Sequence, residues 1–291
     1  MRLAFLIPAP DFPEPWRWAF DAEAKALSDC GFEIDPIPWT EATDLSGYDL
    51  IVPLLAWGYF DQFDEWLSLL ARLEREALPV VNPPALLRWN SDKAYLAELA
   101  ATGVATVPTL AVDHCDEDAV GEARRRFGTS ELVVKPPISA GAAGTYRLGP
   151  GDPLPDDNRG RRAIIQPMMK SVLSHGEYSL ILFDGTLSHA VVKRPKAGDF
   201  RVQPHLGGVT ERCDPPPGGE ALAQAALAAA PAQAVYARVD MIAGDDGQLM
   251  IIELELVEPA LFLNEAPEGG ARFGAAIRSA ALGLADQRAA K

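Results

Sequence analysis

Residues 236–259 read YARVDMIAGDDGQLMIIELELVEP, two apolar-rich runs separated by a turn of Gly and Asp residues, which is the pattern of a β-hairpin. With the loop taken as 244–247, Ala243 pairs with Gln248, Asp240 with Ile251 and Arg238 with Glu253. Side chains alternate along a strand, so Arg238, Asp240, Glu253 and Glu255 share one face, and Val239, Met241, Met250, Ile252, Leu254 and Leu256 share the other. One face is core and the other is acidic. Three crowded carboxylates repel one another, and a cation among them relieves the repulsion; an all-oxygen set suits Mg²⁺. The alternative is a half-exposed strand with its charges in water. A loop one residue longer or shorter flips one strand and breaks the constellation.

The 291 residues are enough for about two domains, or three small ones. Hydrophobic content of 48% and charged content of 23% are those of a globular chain. The net charge of -15, from 26 basic and 41 acidic residues, argues against binding nucleic acid or an anionic membrane. Cys30, Cys115 and Cys213 are scattered and odd in number, so neither a disulfide framework nor a zinc site is expected, and a reducing cytoplasm fits best. The apolar run 3–7 is too short and too soon interrupted for a signal peptide, and no run reaches membrane-spanning length.

Outward from the hairpin, residues 3–7, 32–37, 50–55 and 79–82 carry strand patterns, and 19–28 and 64–77 carry helical ones, the latter with Trp66, Leu69, Leu70 and Leu73 on one side. This alternation predicts a small doubly wound parallel sheet whose ligand lies beyond the strand ends, near loops 10–18 and 56–61. Trp16, Arg17, Trp57 and Tyr59 are candidate substrate contacts, or an interdomain seam. Asn90 or Ser91 is placed to cap a helix ending at Ala101, which puts Lys93 in an anion-favouring first turn. Further strands are expected at 106–111, 131–135 and 163–167, and a helix at 116–127. Lys135 ends its strand just before the small-residue loop 139–145, whose amides can approach phosphate oxygens, although the P-loop spacing is absent. A second hairpin turns at Asp184 and Gly185, with Lys193, Arg194, Lys196 and Arg201 clustered after it, a concentration of cations that suggests an anionic ligand. Helices at 219–230 and 272–287 complete the chain.

In this order the blocks NSDKAYL, VVKPPISAGAAGT, QPMM, FRVQPHLGG, RVDMI and IIELELVEP resemble the ATP-grasp superfamily, especially its D-alanine:D-alanine ligase, glutathione synthetase and ribosomal-protein glutamate ligase branches. The ELELVEPALFL form, with the short N-terminal domain, looks most like the cyclo-ligase of D-cycloserine biosynthesis, which closes O-ureido-D-serine into a ring. Glu255 stands where Asn is common and Gln203 where Asn is frequent. The resemblance implies an α/β fold, α+β in the ATP-binding lobes, with an N-terminal doubly wound parallel-sheet domain (1–88), a small lid subdomain (89–165) and a C-terminal subdomain carrying the metal site (166–291).

The resemblance further implies an ADP-forming carbon–nitrogen ligase that uses ATP and Mg²⁺, with a small carboxylate substrate activated as an acylphosphate and captured by a nitrogen nucleophile. Lys93, Lys135, Ser139, Gly141, Gly144, Thr145, Gln166, Met168, Met169 and Glu177 would hold ATP. Asp240, Glu253 and Glu255 would hold the metal, and Arg194 and Arg238 would orient the carboxylate and steady the transferring phosphoryl group. Arg17, Trp57, Arg201, His205, Gly207 and Gly208 would meet substrate, and a homodimer is the assembly the resemblance suggests. The rivals are a ligase that adds amino acids to a peptide or protein terminus, and a nucleotide-binding regulatory protein without turnover.

Overall fold

In the computed structural model, which describes residues 1–244 and 246–289, the chain begins with β1 (Arg2–Ile7), α1 (Arg17–Asp29), β2 (Glu33–Pro38), β3 (Leu50–Val52) and α2 (Phe63–Arg75). Asp245, in the expected turn 244–247, lies outside the described residues. The three strands pair in parallel in the order β2-β1-β3. β1 is apolar on both faces because both are covered. Leu3, Phe5 and Ile7 pack with α1 and the C-terminal helix, while Ala4 and Leu6 pack with Trp66, Leu69, Leu70 and Leu73 of α2. The fourth strand expected at 79–82 does not form. Only Val80 bridges Ile51, and Asn82 turns the chain away with a φ of 56°.

The helix expected from Asn90 or Ser91 to Ala101 starts later: α3 (Pro84–Asn90) ends where it was to begin, and only α4 (Tyr95–Ala101) lies within its span, neither with a side-chain cap. Asn90 caps nothing; it ends α3 and its amide is engaged elsewhere. Lys93 therefore sits in the break between helices, not in a first turn, with its backbone N–H donated to Pro137 O at 2.8 Å. Next come β4 (Leu110–Val112), α5 (Glu117–Phe127), β5 (Leu132–Lys135), β6 (Tyr146–Leu148) and β7 (Ala163–Pro167), an antiparallel sheet in the order β4-β7-β5-β6. Asp116 caps α5 by accepting from Ala119 N at 2.8 Å.

The remainder is α6 (Val172–His175), β8 (Glu177–Phe183), β9 (Thr186–Arg194), β10 (Val209–Cys213), α7 (Gly219–Ala229), β11 (Tyr236–Ala243), β12 (Leu249–Glu255) and α8 (Gly269–Ala289). The five strands are antiparallel in the order β10-β9-β8-β11-β12. α8 returns to the first unit, where Phe273, Ile277 and Ala281 join its core.

β12 is an edge strand, yet its outer edge is not left unpaired. Asn90 Nδ2 donates to Leu254 O at 2.7 Å and Asn90 Oδ1 accepts from Leu256 N at 2.7 Å. The Tyr95 hydroxyl bonds both Leu254 O and Leu254 N at 2.8 Å, and Ile251 N donates to Ala105 O at 2.9 Å. Asn82 ties the next turn, donating to Leu256 O and Tyr236 O. Side chains from 82–95 thus hold the strand that carries Glu253 and Glu255.

Candidate active site

The acidic face forms, by a different ladder from the one the loop count predicts. Ala243 pairs with Leu249 and Met241 with Ile251, then a bulge shifts the register so that Asp240 opposes Glu253 and Arg238 opposes Glu255. Without that bulge, this turn would have sent both glutamates to the core side. The extra residue is Ile252, which lines the cavity where the core was expected, and Ile251 takes the core place beside Met241 and Leu254.

A similar bulge decides which cation joins. An unbroken ladder from the turn at Asp184 and Gly185 would put Arg194 on the same face as Glu177. A register shift between Ile181 and Leu182 instead brings Lys193 opposite Glu177. Arg194 therefore points outward, exposed, donating to His175 O at 2.9 Å, and it is absent from the cavity. Lys193 is buried, with Nζ 2.5 Å from Glu177 Oε1 and 2.9 Å from Asp240 Oδ2. Of the cation cluster read from the sequence, Arg194 is a residue expected at the site, and the structure brings Lys193 into the cavity instead.

Across the sheet, Asp240 is the hub. Ser179 Oγ donates to its Oδ1 at 2.5 Å, Arg238 reaches both oxygens at 3.0 Å through Nε and Nη2, and Arg238 Nη2 also meets Glu255 Oε1. Burial raises the pKa of Asp240, but Arg238 and Lys193 outweigh it and hold the group well below the carboxylate range. Glu253 is opposed by burial too, yet Lys93, at 3.2 Å, and Lys135 keep it low. Glu255 goes the other way: burial, against Arg238 and reinforced by Glu253 and Asp240, pushes it up to about 7. Burial lowers the Lys135 ammonium, with Glu253 pulling against it. Among the described residues, Asp240, Glu253 and Glu255 are a group whose ligand oxygens all lie within 4.8 Å of one another. An all-oxygen, mutually repelling set fits a hard divalent cation, which would relieve the strain on Glu255.

These residues form one wall of a cavity of about 320 Å³. Of the sequence candidates, Lys93, Lys135, Ser139, Gly141, Thr145, Gln166, Met168, Met169, Glu177, Arg238, Asp240, Glu253, Glu255, Trp57, Arg201 and His205 all line it. Lys93 Nζ also bonds Ser139 O, joining the carboxylate wall to loop 139–145. Gln166 is fixed by Thr109 Oγ1 at 2.9 Å, and Arg201 is held by Asp199 at 2.8 Å. Arg17, Gly144, Gly207 and Gly208 do not line the cavity. Arg17 is exposed over the Trp16 ring, because that face of α1 meets solvent. Gly144 and Gly208 serve the backbone: an added Cβ would meet Pro136 Cγ at 2.8 Å or Val202 O at 2.0 Å, and Gly207 closes the same short turn at a φ of 90°. Tyr59 is buried in the first unit's core. Phe12, Trp18 and Glu258, which sequence reasoning did not select, face the cavity; proline-rich loop 10–18 and the acidic run after Glu255 carried the only signals.

Comparison with known proteins fits this geometry. The profile of the family described as D-cycloserine synthetase DcsG, N-terminal domain, matches residues 11–82. The cycloserine biosynthesis protein DcsG of Streptomyces lavendulae is 32% identical over 272 residues, covering 87% of this chain and 90% of that protein. A glutathione synthetase of Prochlorococcus marinus is 31% identical over 151 residues, 49% of this chain and 46% of its own. In three dimensions, the crystal structure of D-cycloserine synthetase DcsG superposes with a TM-score of 0.83 at 28% identity, covering 98% of this chain and 100% of that one. A D-alanine–D-alanine ligase from Bacillus anthracis superposes at 0.72 with 18% identity, covering 99% of each, which speaks to the fold alone. With its α/β fold, its ligand cavity between sheets and relatedness along nearly the whole chain, the protein belongs to the D-cycloserine synthetase family of ATP-grasp ligases, ATP-dependent enzymes that act on small substrates.

Proposed function

We propose that the chain closes an O-ureido-D-serine-type amino acid into a ring, using ATP and Mg²⁺, with units 1–88, 89–165 and 166–291 contributing substrate wall, lid and metal wall. The substrate carboxylate attacks the γ-phosphorus of ATP, ADP departs, and a nitrogen of the same molecule attacks the acyl carbon, releasing phosphate and a proton. The observation that carries this is the placement of Asp240, Glu253 and Glu255 beside Lys93 and Lys135 on one cavity wall. Those carboxylates would hold Mg²⁺, which would supply charge neutralisation to the triphosphate.

The chain's own groups supply the rest. Lys93 and Lys135 meet the α- and β-phosphates, and loop 139–145 covers the triphosphate and keeps water from the acylphosphate. Gln166, Met168, Met169 and Glu177 flank the base and ribose. Lys193 and Arg238, both anchored on Asp240, face the charge that develops as phosphoryl moves, and Arg201 and His205 line the substrate end. The test is ADP release by purified protein with ATP, Mg²⁺ and O-ureido-D-serine, followed by product mass. Loss of mass from the single substrate is expected, and Glu253→Gln abolishes turnover with its circular dichroism unchanged. Gain of a second amino acid in the product would instead make the chain a peptide-forming ligase, and undiminished turnover by Glu253→Gln would remove the metal assignment.

A further inference from the structure

Five buried or half-buried carboxylates line the cavity, and four already have cations: Glu177 has Lys193, Asp240 has Arg238 and Lys193, Glu253 has Lys93, and Glu255 has Arg238. The fifth is Glu258. Among the described residues its carboxylate has no hydrogen bond and no ion pair, and the nearest cations, Lys93 and Arg238, are committed to its neighbours. Its backbone is pinned, with Glu258 O accepting from Trp57 Nε1 at 3.3 Å. Trp57 is in turn the middle of an aromatic wall: its ring lies 6.0 Å from that of Trp18 and 6.4 Å from that of Phe12, and all three line the cavity.

From this juxtaposition we propose that Glu258 and the Phe12–Trp57–Trp18 wall form the subsite that receives the cationic ammonium of the amino-acid substrate. A partly desolvated carboxylate without a partner is costly, and a ligand cation removes that cost. Aromatic faces attract the same cation and exclude water from it. Burial, then Glu255, hold the Glu258 carboxyl well above the usual range, and an arriving ammonium reverses that pressure. Glu14 also lines the cavity, but it is exposed, so solvent and salt screen its pull. Glu258 is a specificity residue in this scheme and moves no proton.

This inference rests on the amino-acid ligase reading above, and the two fail separately. Affinities are measured by calorimetry, with Mg²⁺ and a non-hydrolysable ATP analogue present, for O-ureido-D-serine against its desamino analogue and for D-alanine against propionate. The wild type is expected to prefer the ammonium-bearing member of at least one pair by about 10- to 100-fold, the range of a charged hydrogen bond. In Glu258→Gln that preference shrinks to about threefold through weaker binding of the amino acid alone, with nucleotide and desamino affinities unchanged. Trp57→Leu narrows it in the same direction but less. Retention of the preference in Glu258→Gln, equal weakening of both members, or no preference in the wild type for either pair overturns the proposal. Discrimination by ammonium without any ADP release sinks the ligase reading alone.

Discussion

Asp240 illustrates how one residue can be both structural and functional. Three side chains converge on it, Ser179, Lys193 and Arg238, so its charge is fixed before any ligand arrives, and the cations that fix it are the ones aimed at the cavity. Lys193 is the most informative of these. Replacing it with alanine should cut kcat/KM by at least about 100-fold, the scale of a lost transition-state donor, whereas Arg194→Ala should stay within about threefold. Steady-state assay of the two variants side by side checks the assignment, and equal losses would reject it. His189 gives a second prediction at this scale. Its Nε2–H donates to Leu261 O at 2.8 Å, and burial lowers its pKa from 6.5 despite that bond. The unfolded chain therefore binds this proton more readily than the folded one, so stability rises with pH up to about 6.5 and is lost as pH falls below it. Urea unfolding between about pH 5 and 6.5 should show a shallower slope in His189→Gln than in the wild type.

At the scale of elements, the edge of β12 is where site and fold meet. Asn90 satisfies Leu254 O and Leu256 N, the backbone groups on either side of Glu255. Asn90→Ala leaves the buried Leu256 N without a partner, while Leu254 O keeps the Tyr95 hydroxyl, a loss of about 1–3 kcal/mol. A matching fall in Mg²⁺-dependent nucleotide binding is expected, because Glu253 and Glu255 ride on the same strand. Denaturant titration and nucleotide titration of this variant test both effects, and unchanged affinity in a destabilised protein would separate the strand from the site. The elements themselves were largely legible in the sequence. A continuous apolar run located β1, the helical period located α2, and the turn residues located the two hairpins that carry β8 and β11. What pattern could not supply was the two bulges, since an extra residue in a ladder leaves no compositional trace. One bulge substituted Lys193 for Arg194; the other restored Glu253 and Glu255 to the side of Asp240 after the turn had been miscounted. Asn90 was misread for a related reason: its amide suits a helix cap, but a strand more than 160 residues away claimed it.

For the whole molecule, the order of the chain and the order of packing diverge. The cavity takes an aromatic wall from Phe12, Trp18 and Trp57, two lysines and loop 139–145 from the middle of the chain, and Glu177, Lys193, Arg238, Asp240, Glu253, Glu255 and Glu258 from further on, so the residues that line it are spread from Phe12 to Phe262. Local blocks around Lys93, Lys135 and Asp240 could be recognised singly, but the partnership of Trp57 with Glu258 is visible only after folding. The sheet of β1–β3 is covered by a helix that follows both other sheets in the chain. Leu3, Phe5 and Ile7 pack with Phe273, Ile277 and Ala281 of α8, about 270 residues further along the chain. On the ribosome, then, β1–β3 emerge with one oily flank bare until 269–289 have followed them, so arrested nascent chains that stop before 269 should remain protease-sensitive across 1–52 and bind chaperones until they are extended.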